Sequence, residues 1–265
     1  MSDKELRVDY EAFSPDVEDV TPESDRQVVR VIPSLPEDSI NLFDKLQVEF
    51  YENNPTVATA LKVIKNRRID TGINAPDAIY VSLTDIVHKN RLIIPFKDGN
   101  GKIVFYQSRK MFEFDEKPKY TCKQGADKSI YGIDHVDSKL DTVFIFEGPI
   151  DSFFVQNGLG LAGINKGHHK FTQVQQDQLE ELKLFKKIWV LDNQWIDKTS
   201  REKTEVLLEM GECVFIWPKR YMEYKDFNEI CVSKGLNQIS PEFIKKNSKC
   251  GQSAILKFKI LFGNL

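Results

Sequence analysis

The sequence has little of what marks metal-stapled, secreted or membrane-spanning chains. Only four cysteines occur in 265 residues: Cys122, Cys213, Cys231 and Cys250. None form a Cys-x-x-Cys pair, and no histidine stands at zinc-finger spacing from them, which argues against a structural zinc site. With no signal peptide at the N-terminus, the expectation is four reduced thiols in a cytoplasmic protein. No apolar run approaches the ~20 residues of a membrane span. Internal repeats and low-complexity tracts are also lacking, which sets aside solenoids and fibrous folds. Nor is there a strong charge of one sign, since the net is −3. That charge is unevenly spread. Residues 1–40 hold eleven acidic and four basic residues, a net of −7, which leaves +4 for the remainder. A mildly basic body behind an acidic leader is compatible with nucleic-acid binding without proving it.

Residues 1–36 are rich in Asp, Glu, Ser and Pro without periodicity, and read as a disordered or extended leader. Helices are expected at 38–52 and 55–67, the second with Asn54 as cap and Pro55 at its first position. "RLIIPF" and "KIVFYQSRK" flank the turn "KDGNG" and predict a β-hairpin over 91–110. From about 140 the chain alternates. Strands are expected at "TVFIFE", "LGLAGI", "KIWVLD" and "ECVFIWP", with helices at "PIDSFFVQNG", 172–186 (Thr172 as cap) and "KTSREKTEVLLEMG". Such alternation predicts a parallel sheet flanked by helices, an α/β class. The expected units are a leader (1–36), a smaller α+β unit with the hairpin (37–138), the α/β domain (139–235) and a helical C-terminal extension (236–265). Within the extension, "AILKFKILF" reads as a packed terminal helix or strand, with docking to a partner protein as the lesser alternative.

Glu147 and Asp192 both end predicted strands, and Asp226 with Glu229 follows a third. At the carboxyl ends of parallel strands such residues gather along one edge, where ligands bind. Asp151 lies one helical turn after Glu147 and can face the same crevice. Clustered carboxylates repel one another unless a cation neutralises them, and hard oxygen donors favour Mg2+. Two such ions roughly 4 Å apart could clamp an in-line phosphoryl displacement. His168 and His169 are adjacent in a predicted loop and form no convincing ligand pair.

"FEGPIDS", "WVLDN" and "YKDFNEI" resemble the acidic signatures of the Toprim fold, in the form found in bacterial and phage primases. "RLIIPFKDGNGKIVFYQSRK" and "PKYT" resemble the hairpin and Pro-Lys-Tyr motif of the primase amino-terminal subdomain. As a set, in order and spacing, they are most similar to the primases of T-even-type tailed phages. The resemblance implies a Toprim fold preceded by the α+β subdomain, and metal-dependent synthesis of short RNA primers on single-stranded DNA. It implies catalytic roles for Glu147, Asp192 and Asp226. Metal ligation is implied for Glu147, Asp192, Asp151 and Asp226, with Mg2+ or Mn2+ as the cofactor and no zinc. Arg109, Lys119, Lys128, Lys225 and Asn228 would contact nucleotide or DNA. The implied partners are single-stranded DNA, ribonucleoside triphosphates, a replicative helicase, and further a single-stranded DNA-binding protein and a separate zinc-binding module. The implied location is the cytoplasm, that of the host if the chain is phage-encoded. Two departures stand out. The second acidic strand end reads Asp192-Asn193-Gln194, where the family places another acid two residues on, so that Asp197 would have to swing in. The family's zinc ribbon also has no counterpart. The alternatives are therefore a Toprim nuclease, or a weakened Toprim protein that binds DNA or replication partners without turnover.

Overall fold

A computed structural model describes residues 33–112, 118–163 and 171–263. Most of the acidic leader and the His168–His169 pair lie outside the described residues.

The first half forms a five-stranded antiparallel sheet, ordered β1-β2-β3-β4-β5. Its strands are β1 (Ile40–Asn41), β2 (Tyr80–Val81), β3 (Arg91–Lys97), β4 (Ile103–Lys110) and β5 (Tyr120–Cys122). The predicted hairpin is β3–β4, with Leu92, Ile93, Ile94, Phe96 and Phe105 fully buried. Helix α2 (Pro55–Arg67) has the predicted limits. Asn54 Oδ1 accepts from the Thr56 and Val57 amides, Pro55 opens the helix, and Arg68 closes it in a left-handed conformation.

The helix expected over 38–52 is a correction, because only α1 (Lys45–Phe50) is helical. Residues 40–41 pair with β2 instead. The Asp38 carboxylate accepts from Ser82 Oγ (2.6 Å), the Leu83 amide (2.7 Å) and the Thr84 amide (2.6 Å), so it anchors the chain rather than opening a helix.

The second half forms a six-stranded sheet, ordered β11-β10-β9-β7-β8-β6. The parallel core comprises β7 (Thr142–Phe146), β8 (Gly158–Leu161), β9 (Lys186–Val190) and β10 (Cys213–Phe215). The α/β expectation holds, with antiparallel edges added by β6 (Ile130–Tyr131) and β11 (Ser248–Lys249). Helices α4 (Gln173–Glu181), α5 (Lys198–Glu209), α6 (Phe227–Lys234), α7 (Pro241–Asn247) and α8 (Gln252–Phe262) surround it. Thr172 and Gln175 form a reciprocal capping box on α4.

The long helix expected after Glu147 is a second correction. Only α3 (Pro149–Ser152) forms. Phe153, Phe154 and Val155 are all completely buried, and one helical stripe cannot point three consecutive side chains inward. The turns that replace it bring α3 hard against β8. A Cβ on Gly160 would lie 2.4 Å from Pro149 Cα.

One hydrophobic cluster spans both sheets. It joins Ile94, Phe96 and Phe105 to Phe144, Phe146 and Phe153, with Tyr131 packing on both Phe96 and Phe153. A second cluster fills the opposite face of the six-stranded sheet, where Ala254, Phe258 and Phe262 of α8 are buried. "AILKFKILF" is therefore a packed helix.

The expectation of four free thiols is also corrected. Cys213 and Cys250 are disulfide-bonded, because antiparallel β10 and β11 set their Cα atoms 4.2 Å apart. Cys122 and Cys231 are free thiols. No helix among the described residues is long and apolar enough to cross a membrane.

Candidate active site

β7 and β9 run parallel with Phe146 opposite Val190, so Glu147 and Asp192 emerge one and two residues beyond a matched register. α3 carries Asp151 to the same place, and Asp226 caps α6 by accepting from the Glu229 amide at 2.8 Å. Glu229 Oε2 in turn accepts from the Lys225 amide at 2.7 Å. The loop before α6 is tied to the end of β9 by Asn193, whose Nδ2 donates to the Tyr221 and Tyr224 carbonyls (2.9 and 2.6 Å). Lys225 Nζ thereby stands 3.8 Å from Asp192 Oδ2.

Glu147, Asp151, Asp192 and Asp226 line a cleft of about 360 Å³. The basic residues that line it come from the first half of the chain. Arg109 on β4 lies opposite Tyr120 on β5, donates to its hydroxyl, and stacks 5.1 Å over its ring. Lys119 Nζ lies 5.6 Å from the same ring. Lys128 and Arg67 also line the cleft. Asn228 holds Arg67 through both ends of its amide, accepting from Arg67 Nη1 at 3.1 Å and donating to the Arg67 carbonyl at 2.7 Å.

The electrostatics record the crowding. Burial, reinforced by Glu147 and Asp226 and opposed by Lys225, pushes the Asp192 carboxyl up to about 7. Burial and then Asp226 and Asp192 raise Asp151 well above the usual carboxylate range. Burial, with Arg109 and Lys225 nearby, lowers the Lys119 ammonium. Burial is the main cause of both shifts and the neighbouring carboxylates add to it, and the donors are hard oxygens of the kind Mg2+ takes. The residues present therefore fit a divalent ion. Among the described residues no three His, Cys, Asp or Glu side chains stand as a ready-made ligand group. Each acid instead has a protein partner. Asp151 Oδ1 accepts from the Asn228 amide at 2.9 Å, and Glu147 Oε2 meets Lys203 Nζ at 2.6 Å.

Glu147, Asp151, Asp192, Asp226, Arg109, Lys119, Lys128 and Asn228 thus all line one cleft, and Lys225 joins it through Asp192. Gln194 does not. It is completely buried, with Oε1 accepting from the Trp217 amide and Nε2 donating to Thr204 Oγ1 and the Phe215 carbonyl. Asp197 caps α5 by accepting from the Thr199 and Ser200 amides, so it too is committed elsewhere.

Sequence reading missed four residues: Arg67, Tyr120, Lys203 and Arg91. Arg91 is fully buried, donating to Ser108 Oγ and to the Pro118 (2.6 Å) and Lys119 (3.1 Å) carbonyls. The Tyr120 ring was within reach, since it belongs to a motif already singled out. Nothing in the sequence pattern points to Lys203.

No family model matches the chain. A DNA primase of enterobacteria phage T4 is 31% identical over 178 residues, 64% of this chain. The match takes in 47% of that relative, so the chain spans about half its length. Among solved structures, a DNA primase domain from Pseudomonas aeruginosa aligns over 78% of this chain and 61% of its own, at TM-score 0.46 and 16% identity. The Escherichia coli primase catalytic core aligns over 84% of this chain and 96% of its own, at TM-score 0.44 and 13% identity.

Proposed function

We propose that this chain is the catalytic core of a DNA primase of Toprim type, joining ribonucleotides into short primers on single-stranded DNA. One observation carries the reading: Glu147, Asp151, Asp192 and Asp226 line one cleft together with Arg67, Arg109, Lys119 and Lys128. Phosphoryl transfer needs this pairing of metal-holding and phosphate-holding residues more than it needs a covalent nucleophile. The similarity to the T4 enzyme supports the same reading.

Glu147, Asp192 and Asp226 would hold Mg2+, which when bound supplies Lewis-acid stabilisation of charge on the reacting phosphate. Arg109 and Lys119 take the triphosphate oxygens. Tyr120 keeps both cations in place from below, and Asn228 does the same for Arg67. Lys225 sits beside Asp192 and orients its carboxylate. The partners that follow from this reaction are a single-stranded template, ribonucleoside triphosphates and a replicative helicase. A single-stranded DNA-binding protein and a zinc-binding module on another chain would complete the set.

The buried Gln194 keeps a second reading open, a Toprim protein that binds DNA without turnover. Primer synthesis separates the two. The protein is given single-stranded DNA, Mg2+ or Mn2+ and labelled ribonucleotides, with and without helicase. Labelled oligoribonucleotides that vanish in Glu147→Gln are expected. DNA binding without product in any of these mixtures overturns the primase reading, and cleavage of the DNA replaces it with a nuclease.

A further inference from the structure

Lys203 lies on α5, far from every acidic motif, yet its ammonium is 2.6 Å from Glu147 Oε2. The two side chains are only 16% and 26% exposed, so this is a sheltered pair rather than a surface one. Its placement is built. α5 is registered against the end of β9 by Gln194, whose Nε2 donates to Thr204 Oγ1, the neighbour of Lys203. Thr204 Oγ1 donates back to the Ser200 carbonyl, and Arg201 Nη1 donates to the Gln194 carbonyl at 2.9 Å. Gln194 therefore offers no oxygen to the cleft and instead seats the helix that brings an ammonium onto Glu147.

The acids are unevenly compensated as a result. Glu147 is met at contact distance by Lys203, whereas Asp192 has only the more distant Lys225 and is crowded by Glu147 and Asp226. Two divalent ions side by side need unspent carboxylates on both flanks of the cleft. Glu147 already has a cation on it, and Asp151 one helical turn later accepts from the Asn228 amide.

We propose that Lys203 is a built-in cation that takes the place of a second divalent ion on Glu147, so that the cleft holds one divalent ion, centred on Asp192. The inference rests on the primase reading and deepens it. Lys203 is then a positioning residue: it holds the Glu147 carboxylate and sets the number of ions.

The test is Mn2+ titration of the full chain, counting bound ions by loss of the free-Mn2+ electron paramagnetic resonance signal, with primer synthesis assayed in parallel. The wild type is expected to bind one Mn2+ per chain, and Asp192→Asn to lose it. Lys203→Gln is expected to admit a second Mn2+, and Lys203→Arg to behave as wild type. Two ions on the wild type overturn the inference, as does a count of zero. A folded Lys203→Gln chain that still binds one ion with unchanged affinity also overturns it. If Lys203→Gln does not fold, the wild-type count decides the matter. Primers made with two ions bound refute the inference alone. One ion bound without primers refutes the primase reading and leaves the one-ion centre standing.

Discussion

Replacing Asp192 by Asn should make the metal-free protein more stable at high pH. The folded site raises this carboxyl from its ordinary 3.8 to about 7. Stability that depends on its proton is full below 3.8 and is lost as pH rises through about 7. Above that the wild type carries an ionised carboxylate among Glu147 and Asp226, and the neutral amide does not. At about 1.4 kcal/mol per pH unit the shift sets a ceiling of roughly 4 kcal/mol. The side chain is 28% exposed. Solvent screening then brings the expected gain nearer to 2 kcal/mol, on the order of 4 °C in Tm for a chain of this size. The assay is thermal unfolding in EDTA at about pH 8.5, 7 and 5. The advantage of Asp192→Asn should be largest at the top of this range and shrink downwards. Adding Mg2+ at high pH should stabilise the wild type and narrow the gap. An advantage that does not change with pH, or a variant less stable than wild type at about pH 8.5, would refute the assignment of Asp192 as the strained acid.

Gln194→Glu should not repair a metal site. It replaces two donated hydrogen bonds with a buried carboxylate facing the Phe215 carbonyl, at a loss of about 3 kcal/mol. A lower Tm with no extra Mn2+ bound is expected, and a tighter, equally stable metal complex would contradict this. Reducing the Cys213–Cys250 bond, which spans 37 residues, should lower stability by about 3–4 kcal/mol. Cys250→Ser should melt at the same lowered temperature and be indifferent to dithiothreitol. Arg91→Lys should loosen the Pro118–Lys119 backbone that the guanidinium holds at two carbonyls. If the proposed primase function is right, the expected result is about a tenfold rise in the KM for ribonucleotide with kcat changed much less, since what is lost is binding shared by ground and transition states.

The acidic edge was legible because the sheet is built from short apolar runs that stop on a carboxylate, and strand direction then dictates where those stops meet. The hairpin and α2 were legible because a Gly-rich turn and an Asn-Pro cap act locally. What was lost acts at a distance. The segment after Ser152 has good helical periodicity on paper, but Phe153, Phe154 and Val155 all find core, and packing overrides propensity. Asp38 looked like a helix start because nothing nearby announces that Ser82 and Thr84 are its partners. Gln194 looked like a defective ligand because its position in the motif was read without Trp217 and Thr204 around it. The disulfide follows from an antiparallel edge strand of two residues, which no sequence pattern marks.

The hydrophobic cluster that runs from Phe96 through Tyr131 to Phe153 has a consequence for how far the neighbouring cleft can move. The residues that line the cleft come from both halves of the chain, which this packed mass joins, with the Asn74 amide bonded to the Phe153 carbonyl at 2.8 Å across the join. Such a mass does not open like a jaw. The cleft is set by packing rather than by a hinge, so the residues that line it are expected to keep their spacing whether or not a ligand is bound.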